Sequence, residues 1–291
     1  MIALVLSGGA SLGAIQVGML HALYERGVRP DVIVATSVGA VNGAFIASRP
    51  PTVATAEALA DVWRNIQREE IFPANLVTGL LGFIGRRNSL LPSTGFRRVL
   101  ARHIQLDHLQ DAAIPLHVIA VDLKSGRERQ LSEGDAIEAV LASAAIPAVF
   151  PPVRWGDDDL IDGSVANNTP ISHAIELHAT EIYVLPTGYA CHLRTAPRSA
   201  LGMGLHALTL LIQQRLILEI RAFQDRARLV VLPPPCPLDV TPADFSHAAE
   251  LIERARRDAR AFLAATRVGR SAVPPVMRDM HTHNAGEQTQ E

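Results

Sequence analysis

Lysine is almost absent from this chain: of 27 basic side chains, 26 are arginine and Lys124 is the exception. The arginines are scattered and opposed by 29 acidic residues, giving a formal net charge of −2. Without a global positive field to neutralise phosphates, nucleic acid is excluded as an obligate partner. Cysteine is nearly absent too. Cys191 and Cys236 are the two present, and they lie far apart and form no CxxC. That excludes a disulfide framework, leaves any zinc site to other ligands, and gives the expectation of two reduced thiols in a cytosolic protein. Long hydrophobic runs are missing. The uncharged span Ser199 to Gln214 contains Gly202, Gly204, Gln213 and Gln214 and falls short of the ~18 apolar residues of a spanning helix. Met1 to Leu6 runs straight into Ser7-Gly8-Gly9 with no basic region before it, so no secretory signal is read there. No internal repeat is found.

What is present is an apolar chain of 291 residues, 48% hydrophobic and 19% charged, enough for one large α/β domain or two small ones. Apolar runs of strand length alternate with amphipathic segments. Ile2–Leu6 and Val32–Val34 read as buried strands, Ile15 to Leu23 as a helix closed at Gly27, and Val38–Ala47 as a helix of small residues. Leu116–Val121 and Ile182–Leu185 read as further strands. Arg127–Leu131 and Val153–Trp155 look extended beside the turns Lys124-Ser125-Gly126 and Gly156-Asp157-Asp158. Such βα alternation predicts a mainly parallel sheet covered on both faces, with a hairpin added. Past Pro186 the texture changes: 200–228 and 244–266 look helical, separated by Pro233-Pro234-Pro235-Cys236-Pro237, and the end from His281 is polar. The expected division is a domain over 1–190, a helical extension packed on it over 191–269, and a flexible tail over 270–291.

Three stretches carry chemistry. Ala35-Thr36-Ser37-Val38-Gly39 places a serine at a strand-to-helix turn with a small residue two before it and glycine two after. This is the nucleophile-elbow arrangement: the turn is so sharp that the flanking residues must be small, and it lifts the hydroxyl to a helix N-terminus. An ordinary N-capping serine has the same local pattern. Ser7-Gly8-Gly9-Ala10-Ser11-Leu12-Gly13 again follows a strand and precedes a helix, so its amides converge on an anion, as an oxyanion hole or a phosphate nest. Glycines at 8, 9 and 13 do not spell a dinucleotide fingerprint, and Asp31 precedes the second strand rather than ending it. Asp162 ends an apolar run and is followed by Gly163, a strand-end carboxylate or a turn aspartate. Asp157, Asp158 and Asp159 read as a solvated hairpin tip rather than a metal cluster. No metal or other cofactor is expected.

Together these stretches resemble the patatin-like phospholipase family, serine acyl hydrolases with a Ser-Asp dyad. Gly8-Gly9-Ala10-Ser11-Leu12-Gly13, Ala35-Thr36-Ser37-Val38-Gly39 and Asp162-Gly163-Ser164 stand in that family's order and spacing. Ala142 to Val153 is similar to its segment before the aspartate, and Val121-Asp122-Leu123 to a strand end before a turn. The resemblance covers roughly 1–190. It implies a three-layer α/β/α fold with an added C-terminal helical segment, Ser37 as nucleophile and Asp162 as base. It also implies a Gly8-Gly9-Ala10 oxyanion hole and elbow support from Ala35, Gly39 and Gly163. The chain departs from the family loop in two places: Ala10 stands for the third glycine and can still offer its N–H if its φ stays negative, and Leu12 stands for a basic residue.

The implied function is hydrolysis of acyl esters in lipids such as phospholipids or lysophospholipids. A weak or inactive lipid-binding member, favoured by Leu12, and a thioesterase or transacylase are the alternatives. A Ser-His-Asp triad is a further alternative, although none of the eleven histidines carries a sequence signature. His173 and His178 read as a solvated helix face. Leu76 to Arg87, apolar and ending in two arginines, reads as a lid or membrane-surface contact, or as a buried helix and polar turn. The Leu205, Leu208, Leu211, Ile212, Leu216 stripe reads as core or an oligomer face. The expected location is cytoplasmic, with peripheral membrane contact.

Overall fold

The computed structural model describes residues 1–72, 89–188, 200–238, 240–267 and 269–278. One eight-stranded sheet has the order β5-β6-β3-β2-β1-β7-β8, with β4 also paired to β3. The strands are β1 (Ile2–Leu6), β2 (Val32–Thr36), β3 (Leu116–Asp122), β4 (Glu128–Leu131), β5 (Val153–Trp155), β6 (Asp158–Asp162), β7 (Glu181–Leu185) and β8 (Arg228–Val231). The run β3-β2-β1-β7-β8 is parallel, while β4, β6 and β5 are added antiparallel. The fold is therefore the mixed, mostly parallel three-layer architecture that the alternation of elements predicts.

The two faces follow from the period of two along each strand. Leu4, Leu6, Ile33, Ala35, Leu116 and Val118 point to the larger core. It is covered by α1 (Gly13–Glu25), α2 (Val38–Ala47), α3 (Val53–Asn65), α5 (Thr94–His103), α6 (Ala136–Ser143) and α10 (Ala248–Ala265). Ala3, Val5, Val32 and Val34 point the other way, under α8 (Ile171–Glu176), the carboxyl half of α9 (Ala200–Phe223) and the turn Pro275–Met277. Between these lie the one-turn helices α4 (Arg68–Ile71) and α7 (Ser164–Asn167).

The C-terminal third differs from the helical extension read in the sequence. Within it, Arg228–Val231 forms β8, parallel to β7 in the same sheet, and α10 packs into the larger core through Leu251, Ile252, Ala255 and Ala259. Four residues, three of them apolar, between two helical patterns are too few for periodicity to show a strand. Residues 270–278 are also held: Ala272 bridges Val230, and Val273 and Met277 are buried.

The α9 stripe divides. Leu216 is buried, whereas Leu208 and Leu211 are 47% and 67% exposed, and among the described residues no helix is long and apolar enough to cross a membrane. Leu76 to Arg87 lies outside the described residues. Cys236 is disulfide-bonded, which corrects the expectation of two reduced thiols. The lack of a CxxC excludes a framework, not a single bridge, and Cys191 lies outside the described residues.

Candidate active site

Parallel strands bring their carboxyl ends to one edge, where loops meet. Here β1 delivers the Ser7–Ala10 loop, β2 delivers Ser37, and β7 delivers Thr187. Register places the aspartate. Thr36 pairs with Ile119, so Ser37 stands level with Ala120, and Ala120 pairs with Asp162 across β3. Ser37 Oγ donates a 2.7 Å hydrogen bond to Asp162 Oδ2, and both residues are buried.

Ser37 has φ 55° and ψ −123°, a strained conformation for a residue with a side chain, at the N-terminus of α2. Ser143 holds it there. Its Oγ accepts the Ser37 N–H at 2.8 Å and donates to the Ile119 carbonyl at 2.5 Å. Gly39 is required by the end of β1, since a Cβ there would lie 2.3 Å from the Leu6 carbonyl oxygen. The small residue is thus demanded by β1, and Ala35 meets Gly43 instead. Gly163 is confined in the same way, with the Ile119 carbonyl oxygen 2.3 Å from a Cβ position.

Asp162 Oδ1 accepts the Ser164 N–H at 2.8 Å. Burial pushes its carboxyl above the ordinary range, against the hydrogen bonds from Ser37 and Ser164, which favour the charged form. Among the described residues no histidine contacts either member of the pair. His173 bonds Glu128 at 2.7 Å and Gln130 at 2.9 Å, so it joins α8 to β4 rather than lying on a solvated face. His178 is exposed, at φ 62° in the turn that ends α8. The acidic hairpin tip is solvated and charge-paired: Asp158 meets Arg129 at 2.7 Å, and Asp159 meets Arg154 at 3.2 Å.

In the glycine-rich loop, the Gly8 N–H donates to the Asn168 carbonyl at 3.1 Å. That removes one of the three amides expected to face an oxyanion. The N–H groups of Gly9 and Ala10 have no acceptor among the described residues. Ala10 lies at φ 51°, so the condition of a negative φ is not met, and it lines the pocket together with Ser37. Leu12 is packed in the larger core, so the position of the family's basic residue is apolar here.

Ser37 opens on an apolar pocket whose space, open solvent included, is ≈ 720 Å³. Aromatic residues are only 4% of the chain, yet Phe45, Trp63, Phe72, Phe96, Phe150 and Phe245 all line this one space. They pack on each other, Trp63 against Phe245 at 6.1 Å and Phe72 against Phe150 at 5.6 Å between ring centroids. The Trp63 indole N–H donates to Asn42 Oδ1, Asn42 Nδ2 to Gln16 Oε1, and Gln16 Nε2 to the Ser7 and Leu185 carbonyls. A buried polar chain thus ties the pocket wall to the glycine-rich loop.

The motifs in the sequence locate Ser37, Asp162 and the loop. They include Ser143 in the stretch before the aspartate but not its contact with Ser37, 106 residues distant in the chain, and they do not locate the pocket wall, which is assembled from positions 45 to 245. Small-x-Ser-x-Gly and Asp-Gly are local signals, whereas a wall made of single aromatics on separate helices has no local signal.

Comparison with known proteins places the chain in a family. The patatin-like phospholipase family matches residues 4–175. Patatin-like phospholipase domain-containing protein 7 of Rattus norvegicus is 29% identical over 189 residues, 64% of this chain and 14% of that protein. Lysophospholipase NTE1 of Mycosarcoma maydis is 26% identical over 196 residues, 64% of this chain and 10% of that protein. The chain thus spans a small part of the curated relatives it matches. Among solved structures, VipD from Legionella pneumophila aligns over 90% of this chain and 66% of its own, with TM-score 0.46 and 12% identity. With the family matched over more than half its length, the chain belongs to the patatin-like phospholipases.

Proposed function

We propose that the chain hydrolyses acyl esters of lipids, with Ser37 as nucleophile and Asp162 as general base. The observation that carries this reading is the 2.7 Å Ser37–Asp162 hydrogen bond at the end of an apolar pocket. The acyl chain occupies the aromatic-lined space, which puts the ester carbonyl at Ser37. Ser37 Oγ attacks the carbonyl carbon as its proton passes to Asp162 Oδ2. The Gly9 and Ala10 amides donate to the oxyanion, helped by the N-terminus of α2. Collapse of the tetrahedral intermediate expels the alcohol, which takes the proton from Asp162. A water then attacks the acyl-enzyme, gives its proton to Asp162, and free acid and Ser37 are regenerated. An ordinary aspartate is a weak base for serine, and the raised pKa brings it closer to the task.

Leu12 is the feature favouring a weakly active lipid-binding protein, because a buried apolar residue adds no charge near the oxyanion. The two free amides supply donors without it, and this supports the enzyme. A thioesterase or transacylase would use the same pair with a different donor or acceptor. Exposed leucines on α9 support peripheral contact with a lipid surface. Hydrolysis of p-nitrophenyl esters from acetate to laurate, and of lysophosphatidylcholine, tests the reading. kcat/KM is expected to rise with acyl length, and no hydrolysis of any of them contradicts it.

A further inference from the structure

We propose that Thr187 is a positioning residue for the oxyanion hole, holding the Gly8–Gly9 peptide so that the Gly9 N–H faces the reacting carbonyl. The inference rests on the hydrolase reading above and adds a residue that lies outside the segment matched by the family, 4–175. Topology brings it to the site. Leu6 pairs with Leu185 in the parallel β1–β7 ladder, so two residues farther along Gly8 and Thr187 leave the sheet side by side.

The contacts close a small ring. Thr187 Oγ1 donates to the Gly8 carbonyl at 2.6 Å, the Thr187 N–H donates to Ser7 Oγ at 3.0 Å, and Ser7 Oγ donates to the same Gly8 carbonyl at 3.2 Å. Thr187 is 5% exposed, so water does not compete for these bonds. A trans peptide is planar, with its C=O and N–H pointing in opposite directions. Holding the Gly8 carbonyl on Thr187 therefore aims the Gly9 N–H the other way, away from Thr187. On its other side Gly8 is fixed by its N–H bond to the Asn168 carbonyl, so both peptides flanking Gly8 are clamped. Gly9 is a glycine of necessity, since a Cβ there would stand 2.1 Å from Thr187 Oγ1. No arginine or lysine lines the pocket among the described residues. Oriented amides thus carry the oxyanion, and their orientation decides the rate.

Thr187→Val keeps the shape and removes the hydroxyl, and Thr187→Ser keeps the hydroxyl and removes a methyl. Both are compared with wild type and Ser37→Ala for p-nitrophenyl ester hydrolysis, fluorophosphonate labelling rate and Tm. Thr187→Val is expected to lose about 10- to 100-fold in kcat, less than the 10²–10³ of deleting a donor outright. KM stays within about threefold and labelling slows in parallel, because the donors act in the transition state. Thr187→Ser is expected to stay within about threefold of wild type in all three. Wild-type kcat in Thr187→Val overturns the proposal. Equal losses in both variants, tracking a fall in Tm, overturn it as well by assigning Thr187 to packing. Wild type indistinguishable from Ser37→Ala removes the hydrolase reading itself, and the proposal with it.

Discussion

Ser37 and Asp162 are 125 residues apart in the chain and 2.7 Å apart in space, joined across β3 at the level of Ala120. The pair is buried, and among the described residues it has no histidine or cation to share its proton or charge. Its chemistry is therefore governed by desolvation and by oriented backbone groups.

The first consequence concerns pH. Burial raises the Asp162 pKa, and the base must be ionised to act. The acid limb of kcat/KM is expected above the ordinary carboxylate range of about 3.9, read from a pH profile on a neutral ester. A limb at the ordinary value would remove Asp162 as the buried base.

A second concerns stability. The folded chain binds this proton more tightly than the unfolded chain, so ionising Asp162 costs stability. The penalty is absent below the ordinary carboxylate pKa and complete above the raised one. Asp162→Asn removes it, so the variant's Tm is expected to gain on wild type as pH rises above the ordinary carboxylate range. Thermal melts should show that gain lost as pH falls back toward the same range.

Third, Ser143→Ala strips the Ser37 N–H of its acceptor and the Ile119 carbonyl of its donor, both buried. A loss of about 1–3 kcal/mol is expected by denaturant unfolding. kcat should fall beyond that, since the serine's strained backbone loses its hold. Unchanged stability would show that the elbow does not depend on Ser143.

Fourth, the pocket wall sets acyl preference. Val99 on α5 lines it and is 5% exposed. Val99→Phe fills part of the space, and the ratio of kcat/KM for laurate over acetate esters is expected to drop about tenfold or more, at ~0.8 kcal/mol per buried methylene excluded. An unchanged ratio would place the acyl chain elsewhere.

What could be read in the chain divides along the range of the forces involved. Ile2–Leu6 and Val38–Ala47 were legible to the residue because an apolar run and a turn of small residues are local patterns. Ser37 was legible because the elbow's steric demand falls on its near neighbours, although Gly39 proves to answer to the Leu6 carbonyl. Gly8 was credited with an oxyanion amide that Asn168 accepts instead, a contact 160 residues away in sequence. Thr187, Ser143 and the aromatic wall share that reason: each acts through a partner that only the sheet's register brings close. β8 was missed because two helical patterns flank four residues.

Fluorophosphonate labelling of wild type beside Ser37→Ala and Asp162→Asn, with p-nitrophenyl ester turnover in parallel, tests the central claim most directly. Labelling and turnover in the wild type, and neither in either variant with all three folded, is the result this account predicts. Turnover retained by Asp162→Asn, or a folded wild type that neither labels nor hydrolyses, would contradict it.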